Sequence, residues 1–156
     1  AKLVWTHRHP VNAVPSFCSL LKSCHQLYYE NECRDEKKLG EIIFKVSERM
    51  LCDAPKRIKN SGLECSNVLY VDLIKDPKSV VQEIYRKFNW NYTSEFDASM
   101  DAYLEIDRKH RAELKIKKAK EGGDMHSYSP EEYGMTRDGL SSGAYADYVE
   151  KFKIPL

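Results

Sequence analysis

Two stretches of this chain read as β-strands, residues 2–7 and 67–71, and everything between them reads as helix or loop. That spacing constrains the fold more than any other feature. Strands so far apart in sequence pair in parallel through a crossover connection, which is right-handed as a rule. The first strand holds Leu3-Val4-Trp5, an unbroken apolar run. Such a run is the pattern of a strand buried on both faces, and parallel sheets are rarely only two strands wide. The expectation is an α/β fold with part of a parallel sheet flanked by helices. Further strands, from an earlier segment or from another polypeptide, are expected to continue the sheet beside residues 2–7.

The helices follow from apolar spacing and punctuation. Residues 11–22 read as a helix, with Pro15 either starting or kinking it. Leu39, Ile42, Ile43, Val46 and Met50 recur at helical intervals, which predicts a helix over 36–53 ended or bent by Pro55. Residues 59–66 read as a turn-rich link. Asp76-Pro77 is a helix start, an acceptor at the cap and proline in the first turn. Val80, Val81, Ile84, Tyr85 and Phe88 form the buried stripe of that helix. Ser94 is expected to cap a further helix running into the basic stretch 108–120. Ser129-Pro130-Glu131-Glu132 reads as a capping box, and Thr136 as the cap of a last helix over 137–152.

The junction after the first strand carries the chemistry. Thr6-His7-Arg8-His9-Pro10 lies between the strand and the first helix, and Ser16 follows Arg8 by eight residues. A helix N-terminus offers unpaired N–H groups and a partial positive charge, and an arginine beside it adds a donor fork suited to phosphate. Arg8 is therefore the leading candidate for holding an anion, with a Ser16 hydroxyl reaching the same group. The bland alternative for Arg8 is an ion pair with a nearby carboxylate. His7 and His9 are weighed as general bases, but nothing in the sequence supplies a partner for that role.

This strand-Arg-x-Pro-x5-Ser arrangement resembles the 3′-phosphate-binding segment of sulfotransferases that use 3′-phosphoadenosine 5′-phosphosulfate (PAPS). Tyr70-Val71-Asp72-Leu73 with Asp76-Pro77 is similar to that family's Tyr-x-Asp-Leu … Asp-Pro segment, in which the strand-end tyrosine lies near the adenine. Gly122 to Ser129 and Tyr133-Gly134-Met135 resemble the Gly-x-His-x-Tyr-Ser … Phe-Gly-Leu tail of its bacterial-type branch. The resemblance implies the C-terminal half of a P-loop-like sulfotransferase fold. It implies sulfuryl transfer from PAPS to a hydroxyl or amine, with PAPS or its product PAP as the nucleotide and no metal. The cofactor-binding residues it implies are Arg8, Ser16 and Tyr70; Lys118 and Lys120 of the basic stretch are candidates for nucleotide phosphate contact, against the alternative of a solvated face. The Lys/Gly/Ser/Thr-rich phosphosulfate loop and the general base belong to the family's earlier half. The seven glycines, at 40, 62, 122, 123, 134, 139 and 143, do not form such a loop. The isolated chain is accordingly expected to be inactive. The alternative is a non-catalytic, sulfotransferase-derived subunit of a larger assembly.

Length and composition bound the rest. At 156 residues, 1–156 reads as one domain. A net charge of +1 gives no global field for nucleic acid. No apolar run approaches the roughly 20 residues that span a bilayer. Arg108, Lys109, Arg111, Lys115, Lys117, Lys118 and Lys120 read as a solvated face or as phosphate contacts. Five cysteines without a CxxC favour thiols in a reducing compartment, cytoplasm or organelle matrix, with a Cys24–Cys33 disulfide left open. Cys18, Cys24, His25 and Cys33 match no usual zinc spacing.

Overall fold

A computed structural model describes residues 1–28, 35–121 and 128–156, apart from the side chains at 25–28 and 118–121. Its elements are β1 (Lys2–His7), α1 (Pro10–Tyr28), α2 (Glu36–Ser61), β2 (Glu64–Leu69), α3 (Tyr70–Lys75), α4 (Pro77–Lys87), α5 (Ser94–Glu121) and α6 (Gly143–Phe152). Short 3-10 turns occupy Glu131–Tyr133 and Gly139–Ser141. β1 and β2 pair in parallel, the two strands of the sheet among the described residues, and α1 with α2 connects them. The expected α/β class holds, with helix predominating. The chain separates into two compact units, one of residues 1, 3–71 and 128–156, the other of residues 2 and 72–127.

The first unit is built on α1 and α2. Val11, Val14 and Cys18 of α1 and Ile43 of α2 are buried with Tyr133, Met135, Leu140 and Tyr145, so the segment after residue 128 returns to complete this core. Pro15 lies inside α1 with its ring fully buried. It removes the amide that the Val11 carbonyl would accept from, and the helix continues past it. Asp35 caps α2 by accepting from the Lys38 N–H at 3.0 Å. Of the two expected effects of Pro55, ending the helix is not met: one lost backbone bond leaves the flanking turns intact, and α2 runs on to Ser61. Gly62 closes it at φ 69°, in the left-handed region that glycine enters at no steric cost.

Two further boundaries differ from the sequence reading. β2 ends at Leu69, and Tyr70 opens α3, because the short helix takes up the last residues of the apolar run. Residues 64–66 belong to β2 and not to a link. In the returning segment the Ser129 hydroxyl accepts from the Glu132 N–H at 3.3 Å, as the capping box requires. Only a 3-10 turn follows, because Gly134 swings to φ 68°. Thr136 accepts from the Gly139 N–H at 3.0 Å and so caps a second 3-10 turn, with α6 starting only at Gly143.

The sheet alternates. Leu3 and Trp5 are half-buried and His7 buried, whereas Lys2, Val4 and Thr6 are exposed. Burial of β1 on both faces is thus not met within this chain. On the inner face Trp5, His7, Tyr148 and Phe152 form a ring cluster, with His7 stacked on Phe152 at 4.0 Å between centroids.

The second unit contains α4 and α5. Asp76 caps α4 through the Ser79 N–H at 3.0 Å and the Ser79 hydroxyl at 2.7 Å. Phe88 is the one member of the predicted stripe to reach full burial. Tyr85 packs on Trp90, Tyr92 and Phe96 at centroid distances of 5.6, 5.3 and 5.1 Å. Lys78 pairs with Asp97 at 2.9 Å and Asp101 at 2.8 Å. The cap of α5 is Thr93, whose hydroxyl accepts from the Phe96 N–H at 3.2 Å, and not Ser94, which is already helical. Among the described residues no helix is long and apolar enough to cross a membrane.

Candidate functional site

Strand alternation decides which way the junction residues face. His7 ends β1 on the inner face, so Arg8, the next residue, is directed away from the core that His7 enters. Arg8 is half-buried, and its guanidinium carbon lies 4.9 Å from the centroid of the Tyr70 ring. That distance is within cation–π range and gives the guanidinium an aromatic neighbour. Tyr70 thus enters the site from the first position of α3 and not from a strand end.

Ser16 stands on α1 and is half-buried. Tyr128 is the first described residue of the returning segment and is partly buried against the core. Hydrogen bonding from the Ser16 hydroxyl, and secondarily from the Arg8 guanidinium, holds the Tyr128 phenol below its ordinary pKa against the upward push of burial. Arg8 and Tyr70 thus meet from the β1–α1 junction and the start of α3, within one unit.

The backbone at the start of α1 contributes less than a free helix N-terminus would. Pro10 has no N–H, and the Val11 N–H is bound to His9 Nδ1 at 3.3 Å. The N–H groups of Asn12 and Ala13 both reach the His9 carbonyl at 2.9 Å. The first-turn amides at 11, 12 and 13 are committed within the protein. His9 is buried, which lowers its pKa, and its role is to cap the helix.

His7 is likewise structural. Its Nε2–H donates to Asn67 Oδ1 at 3.0 Å, and its Nδ1 accepts from the Tyr148 hydroxyl at 2.8 Å. Burial lowers its pKa, opposed by the bond to Asn67. Burial also pushes the Tyr148 phenol up to about 12, so it remains a donor. A base needs a free lone pair facing an acceptor, and both His7 nitrogens are occupied.

The remaining sequence candidates separate by description. Lys118 and Lys120 fall on the last turns of α5, and their side chains lie outside the described residues, as do Cys33, His126 and the His25 side chain. From Arg108 to Lys117 every side chain of α5 is exposed. Arg108 and Lys109 pair with Glu105, and Arg111 with Asp107 at 2.6 Å, the pattern of a solvated face. Cys18 is fully buried and its thiol is pushed up to about 11, which makes it inert as a ligand or nucleophile. Tyr128 is a residue of the returning segment that the sequence reading did not single out for this candidate site. The signal was present in the Tyr-Ser pair of the tail segment, but nothing in the spacing placed that pair beside Arg8.

Comparison with known proteins follows the same stretch. The model of the Sulfotransferase family matches residues 1–94, which include Arg8, Ser16 and Tyr70 and stop short of Tyr128. Among solved structures the fold is similar to that of sulfotransferase STF9 from Mycobacterium avium, with a TM-score of 0.75 and 25% sequence identity. The likeness covers 100% of this chain and 37% of that one, so the chain spans little more than a third of its length. No curated protein matches this sequence.

Proposed function

The chain belongs to the sulfotransferase family, and from that premise we propose that its β1–α1 junction binds the 3′-phosphate of PAPS or of its product PAP, for sulfuryl transfer to a hydroxyl or amine acceptor. The observation that carries this reading is the half-buried Arg8 at the end of β1, its guanidinium carbon 4.9 Å from the centroid of the Tyr70 ring. A phosphate dianion requires fixed donors at close range, and these residues supply a charged fork and neutral hydroxyls with no carboxylate among them. The chemistry of the donor set therefore fits the group.

Each residue has a separable part. Arg8 neutralises charge and binds in two directions at once. Ser16 adds one donor from α1. Tyr70 holds the guanidinium on one side, and its remaining exposed surface is the part offered to adenine. The sulfuryl transfer itself, an in-line displacement, gains from this half of the nucleotide by positioning: a nucleotide anchored at its 3′ end presents its 5′ end in one place.

The test is a titration of PAP into the native protein and into Arg8→Ala. Loss of charge-assisted bonds to phosphate costs about 1.5–3 kcal/mol, a fall of roughly one to two decades in affinity. Equal affinity in the two proteins removes the assignment of Arg8. Absence of any PAP binding in the wild type turns the reading toward a non-catalytic member of the family.

A further inference from the structure

We propose that α5 is a self-association surface, pairing antiparallel with the α5 of a second copy of this chain through Tyr103, Ile106, His110 and Leu114. The helix belongs to the unit of residues 2 and 72–127, whereas Arg8 belongs to the other. Spaced by three, four and four residues, these side chains fall within an arc of about 80° on the helix surface. Tyr103 is 64%, Ile106 66% and Leu114 37% exposed, and His110 is exposed beside them. From Arg108 to Lys117 the helix is exposed on every side. Packing of an apolar face is what normally holds a helix, and here the chain leaves that face open.

Charge selects the partner and its direction. Residues 94–107 carry five acids, Glu95, Asp97, Asp101, Glu105 and Asp107, and no base. Residues 108–117 carry five bases, Arg108, Lys109, Arg111, Lys115 and Lys117, against Glu113. The helix dipole accounts for such a bias only in the first and last turns, and here the sign changes at mid-helix. Lys78 offsets one acid by pairing with Asp97 and Asp101, which leaves the two halves opposite in sign. A parallel pair would set like halves side by side. An antiparallel pair sets acid against base twice, about a two-fold axis near residues 107–110, where the apolar arc is also centred. Asp107 and Arg111 flank the arc and pair within one copy at 2.6 Å. Across the axis, Asp107 of each copy comes opposite Arg111 of the other. From 103 to 117 the contact is about 22 Å long, short of a standard interface, so the dimer is weak and forms with rising concentration.

Sedimentation velocity of the native protein over a series of concentrations tests this. The wild type should pass from monomer to dimer. Ile106→Asn should stay monomeric with an unchanged thermal midpoint, since Ile106 already faces water. Asp107→Lys and Arg111→Glu each set like charges along the arc and should weaken dimerisation by about tenfold or more. Mixing these two variants should restore the dimer, because a chain with two bases at 107 and 111 meets one with two acids, while the pairing within each chain stays broken. A wild type that is monomeric throughout overturns the proposal, whether α5 is then solvated or covered by other parts of the protein. A dimer that all three variants leave unchanged overturns it too, since its contact lies elsewhere. Single variants that lose the dimer and a mixture that does not regain it overturn the antiparallel pairing.

Discussion

His7 holds its single proton on Nε2, because Asn67 Oδ1 can only accept there and the Tyr148 hydroxyl donates to Nδ1. A second proton would set two donors against each other inside a ring cluster of Trp5, Tyr148 and Phe152. His9 faces the same conflict, since protonating its Nδ1 breaks the bond from the Val11 N–H. Both imidazoles have pKa values lowered by burial from 6.5. The folded chain therefore refuses protons that the unfolded chain accepts. The stability they contribute is complete above about pH 6.5 and is lost as pH falls through the lowered folded values. Urea midpoints should drop between pH 7.5 and 5.5, and drop less in His7→Gln, where one of the two groups is gone. A midpoint that is level across this window, or an equal drop in the variant, contradicts the burial argument. No neighbouring histidine pair in the bare sequence distinguishes a cap and a buried ring from a catalytic base; the partners Tyr148 and Asn67 are distant in sequence and became visible only in three dimensions.

Elements meet most tightly where α2 crosses the returning segment. Gly40 is buried on α2, and a Cβ built there would lie 1.9 Å from the Tyr133 carbonyl oxygen and 2.8 Å from its Cβ. Backbone cannot swing aside as a flexible side chain does. Gly40→Ala should destabilise the chain by about 1–3 kcal/mol, despite alanine's better helix propensity, read as a lower urea midpoint. Gly62→Ala is a useful contrast, since nothing lies within 4 Å of its added Cβ and its cost comes from φ alone. If Gly40→Ala proves neutral or stabilising, the close crossing is wrong. Most of these elements were legible in the sequence. The apolar stripe of α2, the Asp76-Pro77 start of α4 and the strand before Arg8 all carry local signals of period or capping. What was not legible depends on balances that period does not encode. Pro55 weakens one turn of a long helix without ending it, and Tyr70 belongs to α3 although its apolar neighbours read as strand. Of the candidate site, the β1–α1 junction that carries Arg8 and leads to Ser16 was legible because a strand-to-helix junction is a local feature. Tyr128 was not, because its place depends on how a distant segment returns to the core.

At the scale of the whole molecule the open question is what lies against β1. Its inner face is filled by the ring cluster, but Val4 on the outer face is 42% exposed, flanked by exposed Lys2 and Thr6. Each strand of the two-stranded sheet also has one edge that the other does not cover, and a strand edge is a template for pairing with further chain. We expect additional polypeptide, whether more of the same protein or a partner subunit, to cover Val4 and extend the sheet. Covering a valine completely is worth roughly 1.5–3 kcal/mol, and placing an unpaired carboxylate in the covered position costs more than that gain. Val4→Asp should therefore lower the thermal midpoint of the native protein well beyond the scatter of surface substitutions, which is about 0.5 kcal/mol, or roughly 1–2 °C for a chain of this size. The same substitution in the separately purified 156-residue chain should change little, because there Val4 already faces water. Hydrogen exchange gives the second arm: β1 amides should be protected in the native protein and exchange faster in the separate chain. A neutral Val4→Asp in the native protein, together with strong protection of β1 in a monomeric separate chain, would mean that two strands suffice for this sheet and that nothing further rests upon it.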